Sequence, residues 1–133
     1  MSDKELILAA RRARESAYAP YSHFKVGAAL LSKDGTVFLG CNIENASYGA
    51  TLCAERSAFS AALVGGVHDF DAIAIAGGSE GEKTVACTPC GICRQVMAEF
   101  CSSDFKIILE DDDGRIKTVT LGELLPSSFH LSK

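Results

Sequence analysis

Apolar residues recur at helical spacing near the start of the chain, at Leu6, Ile7, Ala10 and Ala13 or Ala17. One stripe of this kind predicts an amphipathic helix over 3–16, with Arg11, Arg12, Arg14 and Glu15 turned to water. Ser2 or Asp3 is placed to cap it. Pro20 ends it, because a proline disfavours helical geometry in the residue before it. Two apolar runs follow, 25–32 and 36–41, joined by Lys33-Asp34-Gly35. Asp-Gly between such runs signals a hairpin whose turn residues both tolerate positive φ. The first run contains Val-Gly-Ala-Ala-Leu-Leu and barely alternates, which predicts a strand covered on both faces.

Positions 42–52 are polar or small and read as a loop, and an Ala-rich helix over 53–64 is closed by Gly65-Gly66. A buried strand, 71–76, runs into Gly77-Gly78, and a second loop, 79–89, leads to a helix near 90–100. A strand over 105–110, an acidic turn at 111–114 and a strand over 115–119 make a second hairpin. A short helix, 122–125, is stopped by Pro126. Helices interleaved with these strands predict an α/β fold, a three-layer α/β/α arrangement with a mixed five-stranded sheet. The 133 residues suit one core, and no linker, repeat or low-complexity stretch divides them, so 1–133 reads as a single domain.

Composition narrows the partners. The formal net charge is −4, and consecutive aspartates at 111–113 would repel a phosphate backbone, so nucleic acid is not the expected partner. No apolar run approaches the ~20 residues of a spanning helix, and no membrane role is expected. The opening residues lack the basic-then-apolar layout of a signal peptide. A cytoplasmic, reducing location is therefore expected, and there 6 cysteines point to metal or catalysis rather than disulfides.

Cys90 and Cys93 stand in Pro89-Cys90-Gly91-Ile92-Cys93 at the start of a predicted helix. The i, i+3 spacing brings both sulfurs to one side, and the N–H groups of a helix start favour thiolate, the metal-binding form. Alone the motif is weak, because C-x-x-C also marks redox pairs and structural zinc knuckles. The redox option fits less well, since the pattern does not put these cysteines after a strand in a compact βαβ unit. Cys53-Ala54-Glu55 opens a second helix. Two helix starts meeting at one end of a sheet would gather three thiolates around Zn²⁺ and leave the fourth tetrahedral position for water, the layout of a catalytic site. Glu55, in the same turn as Cys53, is placed as the proton shuttle beside that water. Arg56, on the same helix face as Cys53, is placed to hydrogen-bond the sulfurs and offset the negative charge of three thiolates on one Zn²⁺. Cys87 competes with this picture, since a fourth thiolate would close the site and make the zinc structural. Cys41 and Cys101 read as core thiols.

Cys-Ala-Glu followed by Pro-Cys-x-x-Cys is the three-cysteine form of the zinc deaminase signature, and the sequence around it closely resembles the small homotetrameric cytidine deaminases. Tyr18-Ala19-Pro20-Tyr21-Ser22-His23-Phe24-Lys25-Val26-Gly27-Ala28-Ala29 resembles the first block of that family. Gly40-Cys41-Asn42-Ile43-Glu44-Asn45-Ala46-Ser47-Tyr48 resembles its nucleoside-binding loop. Cys53-Ala54-Glu55-Arg56 and Pro89-Cys90-Gly91-Ile92-Cys93-Arg94-Gln95 resemble its zinc site, and Leu124-Leu125-Pro126 with Phe129 resembles its C-terminal end. The resemblance implies hydrolytic deamination of cytidine and deoxycytidine to uridine and deoxyuridine with release of ammonia, a step of pyrimidine salvage. It implies one Zn²⁺ per subunit on Cys53, Cys90 and Cys93, with Glu55 moving protons. It further implies that Asn42 and Glu44 bind the ribose hydroxyls, that Phe24 packs against the pyrimidine, and that the Ala54 backbone joins Glu55 in reading the amide edge of the base. Ala46, Tyr48 and Phe129 would complete the site of a neighbouring subunit in a homotetramer.

A neutral nucleoside suits these residue types, whereas a nucleotide phosphate would call for Arg or Lys near the sugar, where Glu44 opposes it. Two other classes stay open: a deaminase of similar fold acting on another amino-pyrimidine such as blasticidin S, and a non-enzymatic zinc module with a closed site. Asn42-Ile43-Glu44-Asn45 argues for the nucleoside. His23 reads as a loop residue, His68 and His130 as surface, and Phe59, Phe70, Phe100 and Phe105 as core.

Overall fold

In the computed structural model, which describes residues 1–133, the Ser2 hydroxyl accepts from Glu5 N and the Glu5 carboxylate accepts from Ser2 N. This capping box opens helix α1 (Asp3–Arg14). Strands β1 (Phe24–Ser32) and β2 (Val37–Cys41) follow, and a single 3₁₀ turn, Tyr48–Ala50, lies in the loop before helix α2 (Ala54–Val64). Strand β3 (Phe70–Ser79), helix α3 (Gly91–Phe100), strands β4 (Lys106–Glu110) and β5 (Ile116–Thr120), and the one-turn helix α4 (Leu121–Leu124) complete the chain. The strands form one sheet in the order β2-β1-β3-β4-β5, mixed because β3 and β4 run parallel while the other neighbours run antiparallel. No helix is long and apolar enough to cross a membrane.

The period of a strand sorts the central residues between two layers. In β3 the alanines of Ala72-Ile73-Ala74-Ile75-Ala76 face one way and pack with Leu6, Ile7 and Ala10 of α1. The isoleucines face the other way and pack with Ala58, Phe59 and Ala62 of α2 and Met97 of α3. Phe59 anchors that second layer, with ring centroids 5.1 Å from Phe70 and 5.9 Å from Phe100. The alanine face lets α1 lie close to the sheet, and two glycines continue the principle. A Cβ on Gly27 would stand 2.0 Å from Ala10 O, and one on Gly40 would stand 2.3 Å from Ala54 O and 2.5 Å from Ala58 N. Helix α2, which begins beside Cys53 and carries Glu55, thus rests directly on the β2 backbone. Gly40→Ala is expected to lever α2 off the sheet and cost about 1–3 kcal/mol or more. The check is the urea midpoint, which should fall at unchanged slope; a wild-type midpoint would mean the gap opens freely.

Several expectations are corrected. Arg14 does not face water: it is 7 % exposed, and its Nε donates to Lys25 O at 3.0 Å while Nη2 donates to Ser79 O at 2.7 Å and Glu82 O at 3.0 Å. Arg11, whose side chain is still 41 % exposed, pairs with the buried Glu110. Strand β3 runs beyond 76 because Gly77, Gly78 and Ser79 pair with Val26, Lys25 and Phe24. In the first hairpin only Gly35 has positive φ, 92°, while the Asp34 carboxylate accepts from Thr36 N at 2.9 Å. Cys41 is half-buried and outside the core, whereas Cys101, also half-buried, packs against the core layer of Phe59 and Met97. Phe59, Phe70 and Phe105 are buried as expected.

Candidate functional site

Cys53 is the N-cap of α2 and Cys90 the N-cap of α3, both with extended backbone. Neither side chain bonds its own helix start, which leaves the sulfurs to face one another. Cys53 Sγ lies 3.8 Å from Cys90 Sγ, Cys90 Sγ lies 3.4 Å from Cys93 Sγ, and all three sulfurs lie within 4.8 Å of one another. Cys93 is buried in the first turn of α3, Cys53 is half-buried and Cys90 is exposed, so the group is reached from one side. The C-x-x-C does follow a strand in a βαβ unit, since β3, α3 and the parallel β4 make that crossover. What sets it apart from a redox pair is the third sulfur, brought from α2.

The charges around the sulfurs are uneven. A hydrogen bond from the Cys93 thiol does most to lower Cys53, to about 5, and burial opposes it. Arg56 and Cys90 lower Cys53 further. Cys93, the donor in that pair, is pushed up by Cys53 and by burial. Arg56 Nη2 donates to Thr51 O at 3.2 Å and to Cys53 Sγ at 3.5 Å, while its Nε is buried with no acceptor. Three sulfurs within coordination reach are a zinc donor set. A buried guanidinium N–H beside them lacks an acceptor of the kind thiolates provide, so the residues fit the metal. Glu55, 5 % exposed, lies beside this group; burial lifts its carboxyl above the usual range, against its own backbone hydrogen bond, and the Cys53 charge adds to the rise.

Cys87 is not part of the cluster. Its sulfur lies against Gly77, where a Cβ would stand 2.8 Å from it and 3.2 Å from the Phe24 ring. Burial chiefly, with the nearby charges of Glu55 and Cys53, pushes its thiol up to about 11, so it stays protonated. Cys87→Ser is therefore expected to keep full zinc content, and to lose a little thermal stability because a hydroxyl replaces a buried thiol. Zinc analysis of the purified variant decides this, and loss of the metal would make Cys87 a ligand.

The other expected residues divide into two groups. Asn42 uses both ends of its amide: Oδ1 accepts from Val26 N at 2.8 Å and Nδ2 donates one hydrogen to Phe24 O at 2.9 Å, which fixes Phe24 at the start of β1. The Glu44 carboxylate accepts from Tyr21 N at 3.0 Å and from Ser22 N at 3.1 Å. Ala54 is fully buried at the start of α2. Ala46, Tyr48 and Phe129 are exposed: Tyr48 meets Tyr21 edge to face at 6.2 Å, and Phe129 is held only through its carbonyl, by Gln95 Nε2 at 2.9 Å. A cleft of about 340 Å³ is lined by Tyr21, Ser22, Glu44, Asn45, Tyr48 and Thr51. A larger cavity, of about 510 Å³, lies by Asp3, Asp71 and Lys106 at the other end of the sheet and holds no thiol. Ser22 was missed from sequence; its hydroxyl bonds Glu44 and accepts from Phe24 N at 3.0 Å, and its place in the block 18–29 was the available signal.

Three convergent cysteines at two helix starts with a buried glutamate in the same turn are the arrangement of a zinc deaminase. Residues 1–109 match the family described as the cytidine and deoxycytidylate deaminase zinc-binding region. A cytidine deaminase of Halalkalibacterium halodurans is 52 % identical over 129 residues, covering 97 % of this chain and 95 % of the relative. A cytidine deaminase of Sporosarcina psychrophila is 48 % identical over 129 residues, covering 97 % and 92 %. The crystal structure of cytidine deaminase from Burkholderia pseudomallei superposes with TM-score 0.88 at 48 % identity, covering 97 % of this chain and 100 % of that one. That from Mycobacterium tuberculosis gives 0.82 at 41 % identity, covering 98 % and 99 %. The chain belongs to the cytidine and deoxycytidylate deaminase zinc-binding family.

Proposed function

We propose that this chain is a single catalytic domain that deaminates cytidine and deoxycytidine hydrolytically, giving uridine or deoxyuridine and ammonia, a pyrimidine salvage step carried out in the cytoplasm. The observation that carries the reading is the convergence of Cys53, Cys90 and Cys93 beside the buried Glu55, and membership in the family supports it. One zinc ion per subunit on these three cysteines supplies Lewis acidity that activates water near neutral pH.

The chain's own residues do the rest. Glu55 takes a proton from the attacking water and passes it to ring nitrogen N3, which leaves C4 electrophilic. The water oxygen bonds C4, Glu55 carries the second proton to the amino group, and the C4–N bond breaks to release ammonia. Burial suits Glu55 to this task, because it raises the carboxyl above its ordinary range and so strengthens it as a proton acceptor. The ring of Phe24 and the backbone of Ala54 hold the base, and Asn42 and Glu44 hold the ribose. Asn42 retains one amide hydrogen for a hydroxyl after its two bonds to β1. Arg56 offsets the negative charge of the thiolates.

Ala46, Tyr48 and Phe129 project from the single chain. Tyr48, 78 % exposed, and Phe129, 65 % exposed, leave their rings open to a partner, which supports a homotetramer in which these residues complete a neighbour's site. The test is ammonia release from cytidine, deoxycytidine, CMP and cytosine. Turnover of the two nucleosides, with CMP and cytosine spared, is the expected result; no turnover of either nucleoside overturns the reading.

A further inference from the structure

Cys90 reaches the site at the end of a segment with little structure of its own, and Cys93 follows it in the first turn of α3. Positions 80–90 contain no helix or strand, and Glu80, Gly81, Glu82 and Lys83 are exposed. Holding Cys90 Sγ within 3.8 Å of Cys53 Sγ at the end of such a segment costs conformational entropy unless something else fixes it. On one side the segment is tied back by Val85 N, which donates to Gly77 O at 2.8 Å, and by Arg14, which donates to Glu82 O. On the other side it meets the end of β4 and the acidic turn. Thr84 Oγ1 donates to Glu110 Oε1 at 3.1 Å, and Ala86 N donates to Asp112 Oδ1 at 2.9 Å.

Glu110 is buried and stands outside the thiol cluster. Its side chain is 1 % exposed, and Arg11 on α1 holds it, with Nε 3.1 Å from Oε1. A buried carboxylate is tolerated where it is paired and hydrogen-bonded, and this one spends its remaining capacity on Thr84. Nothing in the deamination chemistry uses it. The parallel pairing of β3 and β4 explains its position: both strands end on the same side of the sheet, so the end of β4 stands beside the segment that leaves β3.

We propose that Thr84 and Asp112 are positioning residues that latch the segment 82–86 onto Glu110 and the turn 111–114, and thereby fix Cys90 and Cys93 against Cys53. Helix α1 takes part from the far face of the sheet: Arg14 grips one side of the segment, and Arg11 holds the carboxylate that grips the other. This rests on the zinc reading above. The latch resists opening of the metal site and makes no contact with the nucleoside, so its loss speeds metal release and leaves KM for cytidine unchanged.

The experiment measures zinc release from the loaded protein to an excess of chelator, beside the visible thiolate-to-metal band of the cobalt-substituted protein. Thr84→Val keeps the shape and removes the donor to Glu110, and Asp112→Ala removes the acceptor of Ala86 N from an exposed turn; both leave the core intact. Each is expected to release zinc about fivefold faster, the size of one lost hydrogen bond, with a shifted cobalt band. Asp112→Asn, whose amide oxygen still accepts from Ala86 N, is expected to release at the wild-type rate. Wild-type release from both Thr84→Val and Asp112→Ala overturns the latch even if their melting temperatures fall, and so does an Asp112→Asn as fast as Asp112→Ala. A wild-type chain that takes up neither Zn²⁺ nor Co²⁺ overturns the zinc reading and the latch with it.

Discussion

Glu55→Gln is expected to lower kcat for cytidine by about 10²–10⁴-fold, the range that a positioned acid–base group supplies, while zinc content stays at the wild-type level. Glutamine has the shape of glutamate and keeps an acceptor oxygen, so a side chain only 5 % exposed is replaced without a cavity. It cannot take up or release a proton, so both transfers in the proposed reaction fail together. KM should move little, because the amide still donates to and accepts from the polar edge of the base. Activity within a few-fold of wild type would assign the proton transfers to another group. Loss of zinc in this variant would instead make Glu55 a ligand.

Cys93→Ala should abolish both zinc binding and turnover. Cys93 is fully buried in the first turn of α3, and its sulfur lies 3.4 Å from Cys90 and beside Cys53. Removing it leaves two sulfurs, too few to hold a tetrahedral ion against a chelator. Folding and metal binding are linked wherever the ligands are gathered only in the folded chain, so the melting temperature should also become insensitive to added zinc. Stoichiometric zinc in Cys93→Ala would mean that a further thiol, Cys87 foremost, moves in to ligate, and the site would then be of another kind.

Much of this was legible because its causes are local. The helix starts at 53 and 90 announce themselves through polar or small loops followed by apolar periodicity, and thiols at both starts need only those two helix starts to be placed near one another. The five strands and their two hairpins follow from apolar runs and turn residues, and the unalternating apolar run of β1 marks a strand covered on both faces. What escaped the sequence depends on partners distant in the chain. Arg14 looks like one more solvent-facing arginine on a polar stripe, yet its acceptors are carbonyls of Lys25, Ser79 and Glu82. Strand β3 extends through Gly77-Gly78, residues of poor strand propensity, because β1 offers a full ladder there. Glu110 has no local mark of burial; only Arg11, at the other end of the chain, makes it possible. The exposure of Tyr48 and Phe129 follows from the tertiary arrangement, which no periodicity records.

Asn42 stands where a strand would otherwise have to decide between continuing and leaving. Its backbone N–H donates to Val26 O and its carbonyl accepts from Tyr18 N, while its side chain repeats the hydrogen-bonding of a further residue toward β1. The side chain imitates main chain, so the loop 42–52 departs from the sheet without stranding a buried donor. In the proposed reading the same amide also meets the sugar. Architecture and recognition are therefore written in one residue, and evolution has little freedom to revise the second without damaging the first. Changes of sugar preference within this scaffold should therefore arise away from position 42.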